Sequence, residues 1–200
     1  MLHDRDYEPE DLQVKVSELL VATSDGSDSA IEQAVPEVLQ LLRERMKMDV
    51  VFVSEFVDGQ RVFRHVPPGQ TTLPVGGGDP LEESWCQRVV DGRVPELVRD
   101  AATHPATRSL ARAIPIGTHL STPIVMEDGQ IYGTLCCFSH GVNPTTSERD
   151  LQNLRYTAQL TARKIERDRA AKRAADAQKP TTRPQPKDVP DWRLQGNTRF

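Results

Sequence analysis

Cysteine is scarce in this sequence, and long apolar runs are absent. Three cysteines, Cys86, Cys136 and Cys137, stand among 200 residues. A small, odd number of cysteines without a secretory leader is typical of a protein in a reducing compartment. The first twenty residues lack the order of a signal peptide, and no run reaches the ~18–20 apolar residues of a membrane span. We therefore expect a soluble, cytoplasmic protein without a membrane partner.

Apolar and aromatic residues are also few, at 37% and 5% of the chain. The shortage lies at the two ends, because residues 30–165 hold most of the apolar side chains. That stretch is enough for one domain of about 130 residues. We expect an N-terminal extension with a short amphipathic helix (1–28), a domain (29–165), and a basic helix end with a disordered Pro-rich tail (166–200).

Charge of each sign is concentrated in a different part of the chain. Residues 1–160 hold 14 Lys and Arg against 24 Asp and Glu, a balance of −10, whereas residues 161–200 hold 11 against 5, a balance of +6. An acidic body argues against a nucleic-acid-binding domain. The basic stretch Arg163–Arg173 is interpreted as a solvated helical face, with contact to nucleic acid, a membrane or an acidic partner as the alternative. It lacks interleaved aromatics, which argues against binding of single-stranded nucleic acid.

The stretch Gly117–His140 contains the strongest local signal. Asp128-Gly129 lies between the apolar runs Thr122–Met126 and Ile131–Phe138, which predicts a β-hairpin because the turn tolerates positive φ. The second run has eight consecutive uncharged residues. At least one of the two strands is therefore predicted to be central in a sheet and covered on both faces.

A second hairpin is predicted at Asp58-Gly59, between Asp49–Val57 and Gln60–Val66. The returning strand has few apolar residues, so we expect it to be a more exposed edge. Leu73–Pro80 is predicted to be a loop. Its three glycines do not form a phosphate loop, because the Gly-Lys-Ser/Thr ending is missing.

Helices are predicted around these hairpins from apolar periodicity and capping residues. Pro36 is expected to kink or break the first domain helix. The predicted helices start at Ser29 with Glu32, span Leu81–Asp91 and Ala106–Ile114, and start at Thr145 with Glu148. The order of elements favours an α+β fold. It has a central antiparallel sheet, N- and C-terminal helices on one face, and a helical and loop cover (residues 70–115) on the other, with a pocket beneath the cover.

The candidate ligand-binding residues lie on the cover and on the sheet beneath it. They are Trp85, Cys86, Asp100, His104, His119 and Ser121. Four of them also have a simpler interpretation. Trp85 and Cys86 could serve packing, Asp100 could anchor a loop, and His104 could be a solvated loop residue. Metal-ligand spacing is absent, and so is a Ser-His-Asp arrangement, so neither a metal site nor a hydrolytic enzyme is predicted.

Cys136 and Cys137 are adjacent on a predicted strand, so their side chains should point to opposite faces. Neither has Lys or Arg beside it in sequence to stabilise a thiolate. Both are interpreted as small buried hydrophobic residues.

Two segments together resemble the GAF domain family over residues 29–165. One is GGGDPLEESWCQRVVDGRVPELVRDAATHP and the other is IGTHLSTPIVMEDGQIYGTLCCFS. The resemblance is to GAF domains of bacterial signalling proteins and implies a PAS-like sensor fold with a small-molecule pocket. It further implies a non-enzymatic, stand-alone sensor that forms homodimers through its terminal helices and signals to a partner protein. No output domain is expected in the remaining residues.

The sub-family signatures of GAF domains do not identify the ligand or a cofactor. The Asn-Lys pair of cyclic-nucleotide-binding members and the Cys-His pair of bilin-binding members are both missing. The surroundings of the cysteines do not resemble free methionine-R-sulfoxide reductases. Two alternatives stay open: a GAF-fold redox enzyme or thiol sensor that uses Cys86, and an adaptor with a vestigial pocket and a basic partner-binding tail.

Overall fold

The computed structural model describes residues 28–70, 72–108 and 115–178, together with Val14 and Val16. Val16 is buried against the main core, but the rest of the helix predicted near the N-terminus lies outside the described residues. The predicted disordered tail lies outside them as well. The chain divides into two compact units, residues 1–167 and 168–200.

Within the described residues, six strands form one antiparallel sheet, which confirms the predicted α+β class. They are β1 Val50–Val57, β2 Gln60–His65, β3 Gly78–Pro80, β4 Leu97–Val98, β5 Thr118–Val125 and β6 Ile131–Ser139. Their order across the sheet is β3-β2-β1-β6-β5-β4. Strand β6 pairs with both β1 and β5, so the uncharged run in its sequence occupies the centre of the sheet as predicted.

Both predicted hairpins form. Asp58 and Gly59 have φ of 51° and 72°, the left-handed pair that a tight two-residue turn requires. The β5–β6 connection is longer, with Gly129 at φ 81°. There the backbone N–H of Gln130 donates to Oδ1 of Asp128 at 2.9 Å, so the Asp side chain completes the turn.

Strand β2 is not the exposed edge that its sequence predicts, because β3 pairs along its outer side. The predicted loop therefore contains a short strand, and hydrogen bonds to Phe63 hold the glycines before it. Gly76 N–H donates to the Phe63 carbonyl at 2.8 Å, and Phe63 N–H donates to the Gly77 carbonyl at 2.9 Å. A Cβ on Gly78 would lie 2.3 Å from the Arg61 carbonyl oxygen, so this close approach requires glycine.

Two helices pack on one face of the sheet, which is called the helix face below. They are α1 Asp28–Arg45 and α3 Glu148–Gln178, with α2 Trp85–Val90 between them in sequence. Pro36 lies inside α1, so the predicted break into two pieces does not occur. The apolar core on this face includes Leu42, Leu154 and, from β6, Leu135.

The helix starts differ from the capping predictions. Helix α1 already includes Ser29, so this residue is not its cap. Ser147, rather than Thr145, precedes α3, and its N–H and hydroxyl donate to Oδ2 of Asp150 at 2.8 and 2.9 Å. The predicted helix Leu81–Asp91 begins as a short 3-10 turn, and Ser84 caps α2 by accepting from Gln87 N–H at 3.1 Å. Most of the predicted helix Ala106–Ile114 lies outside the described residues.

The opposite face of the sheet, called the cavity face below, lies under the cover as predicted. Two smaller clusters form here, one around Trp85 and Val98 and the other around Phe52, Phe63 and Cys86. The sheet is thus enclosed on both sides, by helices on one face and by the cover on the other. This arrangement leaves space between the sheet and the cover.

Candidate functional site

A cavity of about 450 Å³ lies between the cavity face and the cover. Its lining includes four aromatic side chains, an imidazole and three charged side chains. The aromatic residues are Phe52, Phe63, Trp85 and Phe138, the imidazole is that of His119, and the charged residues are Arg61, Asp79 and Glu83. The volume lies within the range of natural small-molecule sites, which are commonly apolar with a few placed polar groups.

Arg61 is the positively charged group of the cavity wall, and its side chain is only 11% exposed. Its guanidinium forms a two-bond ion pair with Asp79, in which Nε donates to Oδ1 at 2.9 Å and Nη2 donates to Oδ2. The third contact is from Nη1 to Sγ of Cys86 at 3.3 Å. The carbon Cζ also lies 5.6 and 5.1 Å from the ring centres of Phe52 and Phe63. The guanidinium is therefore fixed in place on both its edges and its faces.

Cys86 is fully buried in α2 and directly contacts this guanidinium. Burial by itself raises the pKa of a thiol. Here the hydrogen bond from Cys136, the positive charge of Arg61 and a hydrogen bond from Thr134 lower the pKa of Cys86 to about 5. These contacts favour the thiolate form of this buried side chain, which lies beside a cation.

Cys136 faces the cavity from the central strand and has the opposite tendency. Burial and the neighbouring Cys86 thiolate raise its pKa, so Cys136 keeps its proton and donates it toward Cys86. Its sulfur lies 3.4 Å from Nε2 of His119. One thiolate and one thiol thus lie together beside the cavity.

His119 is the third member of this group and is fully buried. Burial, and then the charge of Arg61, lower its pKa to about 3, so the imidazole is neutral near pH 7. Its ring lies 4.9 Å from the Trp85 ring, centre to centre. Its Nδ1 has no hydrogen-bond partner within the described part of the chain.

The structure brings some of the sequence-predicted site residues together and separates others. Trp85 and His119 line the cavity, and Cys86 lies behind Arg61. Ser121 is buried two residues from His119 on β5 and therefore shares its face of the sheet. Asp100 and His104 lie apart from the cavity lining. The Asp100 carboxylate accepts from Ala102 N–H at 3.0 Å, and His104 Nδ1 accepts from Ala106 N–H at 3.2 Å, so both complete local turns.

Sequence reasoning missed Arg61 and Asp79. Arg61 lies in the strand that its sequence predicts to be an exposed edge. It is also far in sequence from all three cysteines, so adjacency in sequence does not reveal it as their partner. The available signal was the alternation of β2, in which Arg61 and Phe63 share a face. Because Phe63 is a core residue, that alternation places Arg61 in the interior as well.

The described residues hold no group of three or more His, Cys, Asp or Glu side chains that could bind a metal ion. None of the described helices combines the length and the apolar character that a bilayer crossing requires.

A curated relative of this chain is the diguanylate cyclase DgcP of Escherichia coli (strain K12). The two are 27% identical over 167 residues, which cover 78% of this chain and 46% of the relative. The chain thus matches about half the length of that protein. The match therefore shows similarity in one region, and it does not assign the activity of the whole relative to this chain.

Solved structures with similar folds include two bacterial proteins. The GAF domain of a phosphoenolpyruvate-protein phosphotransferase from Coxiella burnetii has a TM-score of 0.64 and 19% identity, covering 84% of this chain and 99% of its own. Free methionine-R-sulfoxide reductase from Neisseria meningitidis, in complex with its substrate, has a TM-score of 0.62 and 18% identity, covering 86% and 98%. At these identities the likeness shows a shared fold.

The family match is direct. The family model described as "GAF domain" matches residues 28–166, which is more than half of the chain. GAF domains are sensory and regulatory modules, and the sheet, helices and covered cavity agree with that architecture. The chain belongs to the GAF domain family.

Proposed function

We propose that this protein is a non-enzymatic sensory or regulatory module that binds a small organic molecule in the cavity. The observation that carries the proposal is the cavity of about 450 Å³ with aromatic rings in its wall. A vestigial pocket would be filled by side chains, so the cavity favours a sensor over an adaptor. The Neisseria protein, which shares the fold, was solved in complex with a small-molecule substrate.

The cavity wall favours an apolar or aromatic ligand. The charge of Arg61 is already satisfied by Asp79 and Cys86, so it does not need an anionic ligand. Phe52, Trp85 and Phe138 offer ring faces and edges for stacking.

A signal would reach the helices through the sheet. Strand β6 places Cys136 on the cavity face and its neighbours Leu135 and Cys137 on the helix face. A ligand that orders the cover would therefore bias the packing of α1 and α3 through the same strand. We propose that the output is a change in a homodimer built on these helices, or in contact with a signalling partner.

The cavity proposal is tested by blocking the cavity from the cover. The probe is the fluorescent dye N-phenyl-1-naphthylamine, an apolar aromatic molecule without a charge. Leu73 lines the cavity, whereas Val75 on the same loop is 64% exposed and does not line it. Leu73→Trp should abolish saturable dye binding, and Val75→Trp should leave it unchanged. Equal binding by both variants, or none by the wild type, would contradict the cavity as a binding site.

The signalling proposal has a separate test. Native mass spectrometry of the full chain, purified from its own cells, should show a retained molecule that is lost on denaturation. Sedimentation at micromolar concentration should then show a dimer whose stability changes when that molecule is removed. If only monomer is present with and without the molecule, the homodimer mechanism is wrong.

A further inference from the structure

Cys86, Cys136 and Arg61 form a cluster that ligand binding does not require. Cys86 is fully buried and Cys136 is 2% exposed, and both belong to the same core cluster as Phe52. A buried thiolate and a buried guanidinium together cost desolvation energy that two apolar side chains of the same volume would avoid. The cluster is therefore not explained by packing alone.

The parts of the cluster have complementary roles. Arg61 is held by Asp79 and directs Nη1 at the Cys86 sulfur at 3.3 Å, which favours the thiolate as nucleophile. Cys136 belongs to the same buried cluster as Cys86, and burial together with the neighbouring Cys86 raises its pKa, which favours the protonated thiol. A nucleophilic sulfur beside a protonated second sulfur is the arrangement in which a resolving cysteine completes a disulfide.

The cavity gives a small oxidant access to this pair. Cys136 lines the cavity, and so do Arg61, Ser84 and Trp85, which adjoin Cys86 in space or in sequence. Hydrogen peroxide is close to water in size and fits readily within about 450 Å³.

We propose that Cys86 and Cys136 are a peroxide-responsive thiol pair that forms an intramolecular disulfide. The Cys86 thiolate attacks one oxygen of hydrogen peroxide, the O–O bond breaks, and Cys86 sulfenic acid and hydroxide form. The Cys136 sulfur then attacks the sulfenic sulfur. The S–S bond forms, the S–O bond breaks, and the Cys136 proton leaves with the hydroxyl group as water. The two thiols are oxidised by two electrons, and peroxide is reduced to water and hydroxide.

The disulfide would alter the cavity wall. It removes the negative charge of Cys86, so Arg61 keeps Asp79 alone as its charged partner. It also links α2 of the cover to β6 of the sheet covalently. The redox state of the pair is therefore a second input to the same wall that would hold a ligand.

Intact-mass spectrometry of the full chain tests this directly. After a hydrogen peroxide pulse and alkylation under denaturing conditions, the wild type should lose two hydrogen atoms and two alkylation sites, and peptide mapping should join Cys86 to Cys136. Cys136→Ser should instead accumulate Cys86 sulfenic acid, which the trapping reagent dimedone labels. Cys86→Ser should form neither product.

Two matched controls keep the test specific. Cys137→Ser changes the adjacent cysteine on the other face and should form the disulfide at the wild-type rate. Arg61→Met should slow its formation on the order of tenfold, because an ordinary thiol is only a few per cent ionised at neutral pH. Arg64→Met, on the same strand and paired with Glu55, should leave the rate unchanged.

Several outcomes would overturn the proposal. They are a wild type that keeps three free thiols, a disulfide that includes Cys137, and equal rates in Arg61→Met and Arg64→Met. Circular dichroism and a cooperative urea transition establish that each variant is folded. Dye binding is measured on the reduced wild type before the peroxide pulse, so failure of the thiol pair is distinguishable from failure of the ligand site.

Discussion

Cys136 and Cys137 are neighbours on the central strand, yet they lie in different chemical surroundings. Cys137 packs in the apolar core of the helix face, where burial and then the charge of Asp150 raise its pKa. Cys136 lines the cavity, lies 3.4 Å from His119 and donates toward the Cys86 thiolate. Because side chains alternate along a β-strand, two adjacent cysteines lie on opposite faces of the sheet and have different roles.

The same difference extends over the two faces of the sheet. The strand residues of the helix-face core are mainly aliphatic, such as Val53, Leu120 and Leu135. The cavity face buries Arg61, His119 and Ser121, and both His119 Nδ1 and the Ser121 hydroxyl lack a partner among the described residues. Buried polar groups cost stability when they are unpaired. The helix face therefore supplies stability, and the cavity face holds the polar groups that function can use.

The largest effect is expected on the helix face. Leu135 is fully buried in the main core, so Leu135→Ala should lower the free energy of unfolding by about 2–5 kcal/mol through lost burial and an unfilled cavity. Urea unfolding measures the change. Ile131→Ala on the same strand, 41% exposed, is the control and should have much less effect. Equal losses in both variants would contradict the assignment of the two environments.

The next effect is expected on the cavity face. Arg61→Met leaves Cys86 and Asp79 without their cation and should lower the unfolding free energy by about 1–3 kcal/mol, the cost of unsatisfied polar groups. The loss is limited because the Asp79 side chain is 41% exposed and can be hydrated. Arg64→Met is the control and should change stability little. An unchanged unfolding free energy in Arg61→Met would mean that the ion pairs of Arg61 do not stabilise the protein.

The lowered pKa of His119 predicts that the unfolding free energy depends on pH. Its pKa is about 3 in the folded protein and 6.5 when exposed, so between these values the unfolded chain binds one more proton. Unfolding free energy should therefore fall as pH falls through this window, by up to about 1.4 kcal/mol per pH unit from this residue. His119→Gln should reduce that slope in urea titrations from pH 6.5 to 4. An unchanged slope would show that the folded protein protonates His119 readily.

The smallest effect on stability is expected for the ion pair between Arg155 and Glu96. Arg155 of α3 bonds Glu96 through two nitrogens, but their side chains are 42% and 23% exposed. Glu96→Gln should lower the unfolding free energy by only about 0.2–1 kcal/mol, and less at high salt, because water screens the pair. Thermal or urea unfolding at two salt concentrations checks this. A loss of unfolding free energy as large as that of Arg61→Met would contradict the expectation that a buried ion pair stabilises the protein more than an exposed one.

Much of the fold was predictable because its signals are local. The two Asp-Gly turns and the uncharged run Ile131–Phe138 correctly predicted both hairpins and the central strand. Element ends were less predictable. The cap of α3 moved from Thr145 to Ser147 because Asp150, three residues after Ser147, completes the hydrogen bonds there. Thr145 with Glu148 and Ser147 with Asp150 have the same spacing, so the sequence offers two local caps two residues apart.

The site was predictable only in part. Trp85, Cys86 and His119 were found because they lie on the cover or on a buried strand, whereas Arg61 was missed. Strand β2 was predicted to be an edge, and nothing in its own sequence shows that Gly78–Pro80 folds back to cover it. An arginine on an edge strand is ordinarily solvated, and here the added strand makes it a buried partner.

The sequence by itself determined the hairpins, the alternation that separates Cys136 from Cys137, and the family. The hairpins and the alternation depend on backbone preferences and periodicity, which act over a few residues, whereas the family follows from the resemblance of two sequence segments. Only the tertiary structure decided which cysteine lies beside a cation. Arg61 and Cys86 are 25 residues apart in the chain, and their 3.3 Å contact exists only once β3 and α2 have packed against the sheet. Electrostatic energy depends on distance in space, so the chemistry of the thiols is a property of the folded protein.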